Sequence, residues 1–311
     1  MQANPHAVMF HHFHSDIHPE GQGSISADDF ASMVDWISER CNLISAHEYY
    51  EKALSRRLHD GDVCLSFDDG LLCQYDIAAP ILDDRKLGAF FFIYSSPMQG
   101  EPDLLEVFRY FRTIEFETID DFYREFFKQV EFDTLPNYRA TYERFKCSNY
   151  LLDFSFYSEN DRWFRYLRDQ VMGKILYEST MLRLMNVKNF DIGAVLARLW
   201  VTPTHIKELS ASNHIVGLHS YSHPTIIHQL APSIQVDEYK KNMEHLSLIL
   251  PQSDLTTMAH PCGNYDSVTL DILKSIGIKL GFQASMSSNT IDSLLEMPRE
   301  DHINIYNRMY S

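Results

Sequence analysis

Cysteine is scarce in this sequence, and the few cysteines form no pattern. They number five, an odd count at irregular spacing without a CxxC pair: Cys41, Cys64, Cys73, Cys147 and Cys262. A disulfide framework or a thiolate zinc site needs paired and regularly spaced cysteines. The sequence therefore indicates neither of them and favours a reducing compartment.

Positive charge and long apolar runs are also lacking. The 311 residues carry 27 Lys and Arg against 43 Asp and Glu, a net charge of −16 at pH 7. Nucleic acids and anionic membrane surfaces reward clustered basic residues, so neither is an expected partner. No stretch approaches the ~18 apolar residues of a membrane span, and the N-terminus lacks the basic flank and apolar run of an export signal. We therefore expect a cytoplasmic protein without a membrane span.

The sequence does contain enough apolar residues, 45%, for a full core. Short apolar runs alternate with helical patterns over residues 7–97 and 203–300. This rhythm predicts an α/β protein, a barrel or a doubly wound sheet, with its working loops at the C-terminal ends of parallel strands. Residues 98–200 instead show long helical patterns dense in aromatics. We expect a single domain, 1–311, with 98–200 as a helical insertion that packs on the core or forms a lid or cleft wall.

The chain is organised around one apolar run, Val63–Phe67, that ends in Asp68, Asp69 and Gly70. Burying a bare carboxylate costs several kcal/mol or more unless a cation or hydrogen-bond donors meet it. Gly70 permits the turn that would let both aspartates converge on one pocket. The pair therefore predicts a cationic partner at this strand end.

A second candidate strand, Ile215–Leu218, leads into His219 and His223. Two histidines four apart occur on the helix of zinc proteases, but Ser220 stands where those proteases have glutamate, and Pro224 disfavours helix at His223. The pair is therefore expected in a loop. Two imidazoles and one carboxylate suit zinc, or iron, cobalt or nickel, and leave a coordination position open.

Such a metal would make hydrolysis the natural reaction class. One aspartate of the pair would bind the metal and the other would take the proton from the attacking water. His11, which follows the apolar run Ala7–Phe10, is our candidate general acid, with His12 as the rival. The turn Pro261–Gly263 would bring a backbone N–H, that of Cys262, to the developing oxyanion.

These segments resemble the polysaccharide deacetylase family, which carries the NodB-homology domain of carbohydrate esterase family 4. Ser66–Gly70 is similar to its TFDDG motif and His219–His223 to its HSxxH motif. Ala259–Tyr265 is similar to the AYPYGxY form of its third motif, and Val8–His11 to the LMYH opening of one branch. The resemblance covers about residues 7–97 and 203–300, with the four motifs in family order.

The resemblance implies a distorted, incomplete (β/α) barrel of the polysaccharide deacetylase type. It also implies that Asp69, His219 and His223 hold Zn²⁺ or another divalent transition metal. Asp68 would then be the base, and His11 would take the acid role of the N-terminal histidine.

The third motif departs from the family pattern. Ala259 stands where many members place an arginine that holds the catalytic aspartate, and His260 and Cys262 replace two aromatics of the pocket wall. Arg299 is similar to the arginine of the branch's last strand. It is a candidate for holding Asp68, with an ordinary surface salt bridge as the alternative.

We expect a metal-dependent hydrolase that removes an N-acyl group, acetyl first of all, from an amino sugar. Without an export signal, the expected substrate is a nucleotide-linked or lipid-linked intermediate of surface polysaccharide biosynthesis. Two alternatives stay open: a catalytically degenerate member that binds a glycan, and an amidase or deformylase acting on another small amide. The sequence does not indicate the oligomeric state.

Overall fold

The computed structural model describes residues 4–131, 135–152, 157–286, 291 and 293–310. Residues 1–3 of the N-terminal stretch lie outside the described residues. The chain divides into two compact units. One comprises Met1–Asp103 and Leu196–Ser311, and the other comprises Leu104–Val195, inside the segment predicted as an insertion.

The first unit is built on an eight-stranded sheet. Its strands are β1 (His6–Phe10), β2 (Asn42–Leu43), β3 (Asp62–Phe67), β4 (Phe90–Ile93), β5 (Ile215–Leu218), β6 (Thr257–Ala259), β7 (Leu280–Phe282) and β8 (Arg299–Asp301). The order is β7-β6-β5-β4-β3-β1-β8, with β2 beside β3. All of these pairings are parallel, as the alternation of strands and helices predicts.

The two ends of this sheet meet just before β8. Met297 forms a parallel bridge with Phe282 of β7. The N–H of Met297 donates to the Gly281 carbonyl at 2.9 Å, and the N–H of Gln283 donates to the Met297 carbonyl at 3.0 Å. Since Met297 leads directly into β8, the sheet curls into a nearly closed barrel. The predicted distorted (β/α) barrel is thereby confirmed.

The α-helices follow from local capping and apolar periodicity. They are α1 (Ala27–Arg40), α2 (Ala46–Leu54), α3 (Ala79–Asp84), α4 (Leu104–Ile114), α5 (Ile119–Gln129), α6 (Tyr138–Lys146), α7 (Glu159–Tyr166), α8 (Gly173–Val187), α9 (Ile192–Leu199), α10 (Pro203–Ala211), α11 (Pro232–Ser247), α12 (Ser267–Ser275) and α13 (His302–Met309). α1 begins with a reciprocal capping box formed by Ser26 and Asp29. Pro224 does not begin a helix, whereas Pro232 begins α11. Within the described part of the chain, no helix is both long and apolar enough to cross a membrane.

The second unit is a helical bundle with an aromatic core. Phe122, Phe126 and Phe164 are fully buried, and the ring centroids of Phe126 and Phe164 lie 5.0 Å apart at near-perpendicular planes. Trp163 is buried against the ring of Phe145. These aromatic side chains of the segment 98–200 are therefore core residues of this unit.

Gly217 in β5 is a position where the barrel has no room for a side chain. A Cβ there would lie 2.5 Å from Thr257 Oγ1 and 2.7 Å from the ring of Phe92. We expect Gly217→Ala to lower the free energy of unfolding by about 1–3 kcal/mol, the usual cost of overpacking, as measured by urea unfolding. Gly193→Ala is the control, because its Cβ would approach only the flexible Asp191 carboxylate. Equal stability of both variants would contradict this tight packing.

Candidate active site

The two aspartates lie in a sharp turn at the C-terminal end of β3. The strand ends at Phe67, and the backbone then enters the left-handed region, with φ of 75° at Asp69 and 58° at Gly70. A Cβ on Gly70 would lie 3.0 Å from the side chain of Ile93, so glycine is required there for space as well as for conformation. Both carboxylates are buried by this turn.

Residues with positive φ also follow two other strands, as they do at turns elsewhere in the described chain. Ser220, His223 and Cys262 also have positive φ, at 63°, 53° and 51°. They follow β5 and β6, so that residues after three strands adopt a conformation unfavourable to L-amino acids by about 1–3 kcal/mol each. Such strain persists where the surrounding structure imposes it.

Asp69, His219 and His223 converge to form a candidate metal centre. Asp69 Oδ1 lies 3.4 Å from His219 Nε2 and 3.5 Å from His223 Nε2, and the three donor atoms lie within 4.8 Å of one another. Asp69 Oδ1 is buried and has no hydrogen-bond partner. Two imidazole nitrogens and one carboxylate oxygen form a donor set that fits a divalent transition metal.

The Nδ1 atoms of both histidines face oxygen atoms of other residues, and that of His219 is hydrogen-bonded. His219 Nδ1 donates to the Ala259 carbonyl at 2.9 Å, which leaves the Nε2 lone pair toward Asp69. His223 Nδ1 lies 3.6 Å from Asp103 Oδ2. The buried Asn242 of α11 accepts a hydrogen bond from the His219 backbone N–H at 3.1 Å. Sequence analysis missed Asp103 and Asn242, because neither belongs to a motif.

The electrostatics of this cluster favour opposite charges on its members. Burial opposes a charge on Asp69, but His223 and His219 outweigh it and hold the pKa of Asp69 far below its ordinary value. Burial likewise opposes a charge on His223, but the carboxylates of Asp69 and Asp103 raise the pKa of His223 to about 9. Asp69 is therefore an ionised ligand ready for a cation.

Arg299 holds the neighbouring aspartate. Its guanidinium donates to Asp68 Oδ1 at 2.6 Å and to Oδ2 at 2.7 Å, and its Nε donates to the Gln283 carbonyl at 2.7 Å. Both side chains are buried, so this is a bidentate internal ion pair and not a surface salt bridge. Burial alone would raise the pKa of Asp68, but Arg299 outweighs it and lowers that pKa.

His11 lies on the other side of Asp68. Its Nε2 is 4.0 Å from Asp68 Oδ2, an oxygen that is also 3.9 Å from His219 Nε2. The His11 side chain is 29% exposed, so it is accessible from solvent. The ring of His12 lies nearly parallel to that of His11, with centroids 6.2 Å apart.

The third motif is divided between the core and the surface. His260 is fully buried, donates from Nε2 to the Leu295 carbonyl at 2.8 Å, and stacks on Tyr265 at 4.1 Å. Burial lowers the pKa of His260 to about 4, so the ring is neutral at pH 7. Cys262, in contrast, is exposed in the turn after β6. In this conformation only Cys262 of the two presents surface to a ligand.

Comparison with known proteins connects this geometry to a family. A profile described as polysaccharide deacetylase matches residues 117–281, slightly more than half of the chain. No curated protein matches the sequence. The match includes His219, His223 and Cys262 but begins after Asp68 and Asp69 in the sequence.

Solved structures with the same fold are distant in sequence. The deacetylase PplD of Streptococcus pyogenes, solved in complex with acetate, has a TM-score of 0.56 at 17% identity, over 97% of this chain and 93% of that chain. IcaB from Ammonifex degensii has a TM-score of 0.55 at 16% identity, over 96% and 91%. The deacetylase domain of BpsB from Bordetella bronchiseptica has a TM-score of 0.53 at 11% identity, over 95% and 94%. From the fold and the profile together, this chain belongs to the polysaccharide deacetylase family.

Proposed function

We propose that this protein is a metal-dependent hydrolase that removes the acetyl group from an N-acetylated amino sugar. Its family supports a carbohydrate deacetylase. The proposal of a metal-dependent N-deacetylase rests on the convergence of Asp69, His219 and His223 beside a second carboxylate. That carboxylate, Asp68, is fixed by an arginine. A site for one metal ion with an adjacent oriented base is an arrangement that suits amide hydrolysis by water.

In this proposal Asp69, His219 and His223 hold the metal. Their donor set suits Zn²⁺ or another divalent transition metal, and Asp69 Oδ1 has no other partner. When bound, such an ion supplies Lewis-acid polarisation of the amide carbonyl and lowers the pKa of water. The hydrogen bond from His219 Nδ1 to the Ala259 carbonyl keeps Nε2 of the ring turned toward this position.

Asp68 is the proposed general base. Arg299 engages both of its oxygens, but Oδ2 still faces His219 Nε2 at 3.9 Å, beside the proposed metal position. From there Oδ2 takes a proton from the attacking water as the water oxygen bonds to the acyl carbon. The fixed carboxylate loses little entropy in this step because the ion pair already orients it.

His11 is the proposed general acid. Its half-buried ring gives a proton to the amine nitrogen as the C–N bond breaks, which yields acetate and the free amino sugar. The backbone N–H of Cys262 is the proposed donor to the oxyanion, presented by the strained turn after β6. His12 stacks beside His11 and is proposed to contact the substrate.

The degenerate alternative rested on Ala259, which lacks the arginine of many members. In this structure Arg299 holds Asp68, and Ala259 contributes its carbonyl to His219. Arg299 of β8 therefore supplies the cation that the third motif lacks. Whether the protein removes an acyl group other than acetyl is tested below with N-formylated substrates.

The test is release of acetate or formate from N-acetylated and N-formylated amino sugars that are nucleotide-linked, lipid-linked or free. We expect acetate release by the protein loaded with Zn²⁺ and loss of at least 90% of it after chelation, as measured by an enzymatic acetate assay. Re-addition of the metal should restore the rate.

The matched control adds the same excess of chelator already saturated with Zn²⁺, which cannot take metal from the protein, so that only removal of the transition metal differs. A chelated protein of unchanged activity would contradict metal dependence. Activity only on formylated substrates would favour the deformylase alternative, and no release from any substrate would favour a glycan-binding role.

A further inference from the structure

We propose that Gln74 is a positioning residue that holds the acid, His11, at a fixed place relative to the base, Asp68. This inference rests on the proposed function, which assigns those two roles. Gln74 Nε2 donates to the His11 backbone carbonyl at 2.8 Å and to the Asp68 backbone carbonyl at 2.6 Å. The side chain is 1% exposed, so water does not compete for these bonds.

The orientation of this amide follows from its two partners. Both are carbonyl oxygens, which only accept hydrogen bonds, so the NH₂ group of Gln74 must face them. Reversing the amide would place Oε1 against two acceptors. One NH₂ group thus uses both of its protons to join the ends of β1 and β3, the strands that carry the proposed acid and base.

Gln74 is the first residue of a five-residue π-helical segment, Gln74–Ala78, that leads into α3. π-helical turns are rare and occur often at functional sites. Neighbours in this part of the chain also contact the loop after β1. Cys73 Sγ accepts from the Phe13 N–H at 3.4 Å, and Asp76 Oδ2 lies 2.7 Å from His18 Nε2.

Of these contacts, the one from Gln74 reaches both proposed catalytic residues. The π-helical turn that begins at Gln74 thus ties the loop that carries His11 to the turn that carries Asp68.

The two residues depend on Gln74 to different degrees. The carboxylate of Asp68 is independently held by Arg299, and its backbone N–H donates to the Phe10 carbonyl at 3.1 Å. Loss of the Gln74 amide should therefore loosen His11 more than Asp68. The acid step should suffer while the base step is largely preserved.

The leaving group separates these two steps. An amine needs a proton as the C–N bond breaks, whereas the phenolate of an activated aryl acetate leaves without one. Gln74→Met keeps the size of the side chain and removes both hydrogen bonds. We expect kcat for the N-acetylated amino sugar to fall about tenfold or more, with KM and zinc content unchanged and less than about twofold loss on 4-nitrophenyl acetate.

Gln235→Met is the matched control. Gln235 of α11 is equally buried, donates from Nε2 to the Leu230 carbonyl at 3.0 Å and accepts from Thr269 Oγ1 at 2.7 Å. It contacts neither proposed catalytic residue through these bonds. We expect it to keep the wild-type ratio of amide to ester rates, although it loses hydrogen bonds of the same kind.

A Gln74→Met protein that loses amide and ester hydrolysis in equal proportion would overturn the positioning role, since general disorder of the site gives that result. Wild-type amide activity in the Gln74→Met protein would overturn that role as well. If this variant does not fold, the same ratio is measured for Gln74→Asn, where a selective amide loss supports the role and an unchanged ratio refutes it. Failure of the proposed function is recognised separately, by a wild-type protein that hydrolyses no amide.

Discussion

Replacing Asp68 with asparagine should reduce kcat for the N-acetylated amino sugar by about 10²- to 10⁴-fold, the range that a general base supplies. The amide of asparagine keeps the shape of the side chain but cannot accept the proton of the attacking water. Because Asp68 is not one of the three clustered donors, the variant should still bind one Zn²⁺ per chain. Steady-state kinetics and elemental analysis on the same preparation test both expectations.

The adjacent aspartate provides the contrast. Asp69→Asn removes the anionic donor that faces both imidazoles at 3.4 and 3.5 Å, so it should lose metal together with turnover. Two substitutions of the same chemistry at neighbouring positions would then differ in metal content. That difference separates a base from a ligand.

Asp62→Asn is the control for a buried aspartate in the same strand. Asp62 begins β3, five residues before its end, and bonds to Asn42 and the His59 N–H. It should retain wild-type kcat. Substantial amide hydrolysis by a folded, zinc-bearing Asp68→Asn protein would remove Asp68 from the mechanism.

Several of the proposed site residues could be predicted to lie at strand ends, because they follow apolar runs in the sequence. Asp68 and Asp69 follow β3, His219 follows β5 and His11 follows β1. Parallel strands deliver their C-terminal ends to one edge of the sheet, so adjacency along the chain to a strand was enough to place these residues together. The aromatic core of the helical unit could be predicted for a similar reason, since its stripes repeat at helical spacing.

The supporting contacts could not be predicted, because they join residues that are distant in sequence through side-chain reach. Arg299 meets Asp68 across β1, which lies between β8 and β3 in the sheet. Asp103, Asn242 and Gln74 carry no motif, and each contacts the site only because of how the chain folds around it. The buried orientation of His260 likewise depends on the Leu295 carbonyl, 35 residues along the chain.

These supporting contacts also explain how the chain tolerates Ala259. Ala259 contributes its backbone carbonyl to the His219 ring, and the cation that pairs with Asp68 comes from the strand at the end of the sheet. This cation, Arg299, comes from β8, whereas many family members supply an arginine from the third motif. The electrostatic requirement, a buried cation against a buried carboxylate, is the same.

Replacing Arg299 with methionine should be the most destabilising single change at this site. It leaves the Asp68 carboxylate buried without its cation, and breaking a buried ion pair costs about 3–5 kcal/mol. The loss should depend on pH. In the wild type the lowered pKa of Asp68 gives stability that is present above the ordinary pKa of 3.8 and lost as pH falls through the folded value.

In the variant, burial without Arg299 should raise the pKa of Asp68, so stability is lost as pH rises through that value. The difference between the two proteins should therefore grow from pH 4 to pH 7.

The measurement is urea unfolding of both proteins at pH 4 and pH 7, with Arg85→Met as the matched control. Arg85 pairs with both carboxylate oxygens of Asp35, at 3.1 and 3.2 Å, but the Asp35 side chain is 65% exposed. Water compensates for the loss of this pair, so the cost should be about 1 kcal/mol or less, with kcat unchanged.

Arg299→Met combined with Asp68→Asn should recover stability but not turnover, because the unpaired charge is gone while the proposed base is still missing. An Arg299→Met protein that is as stable as Arg85→Met at pH 7 would contradict the buried ion pair as the support of the proposed base.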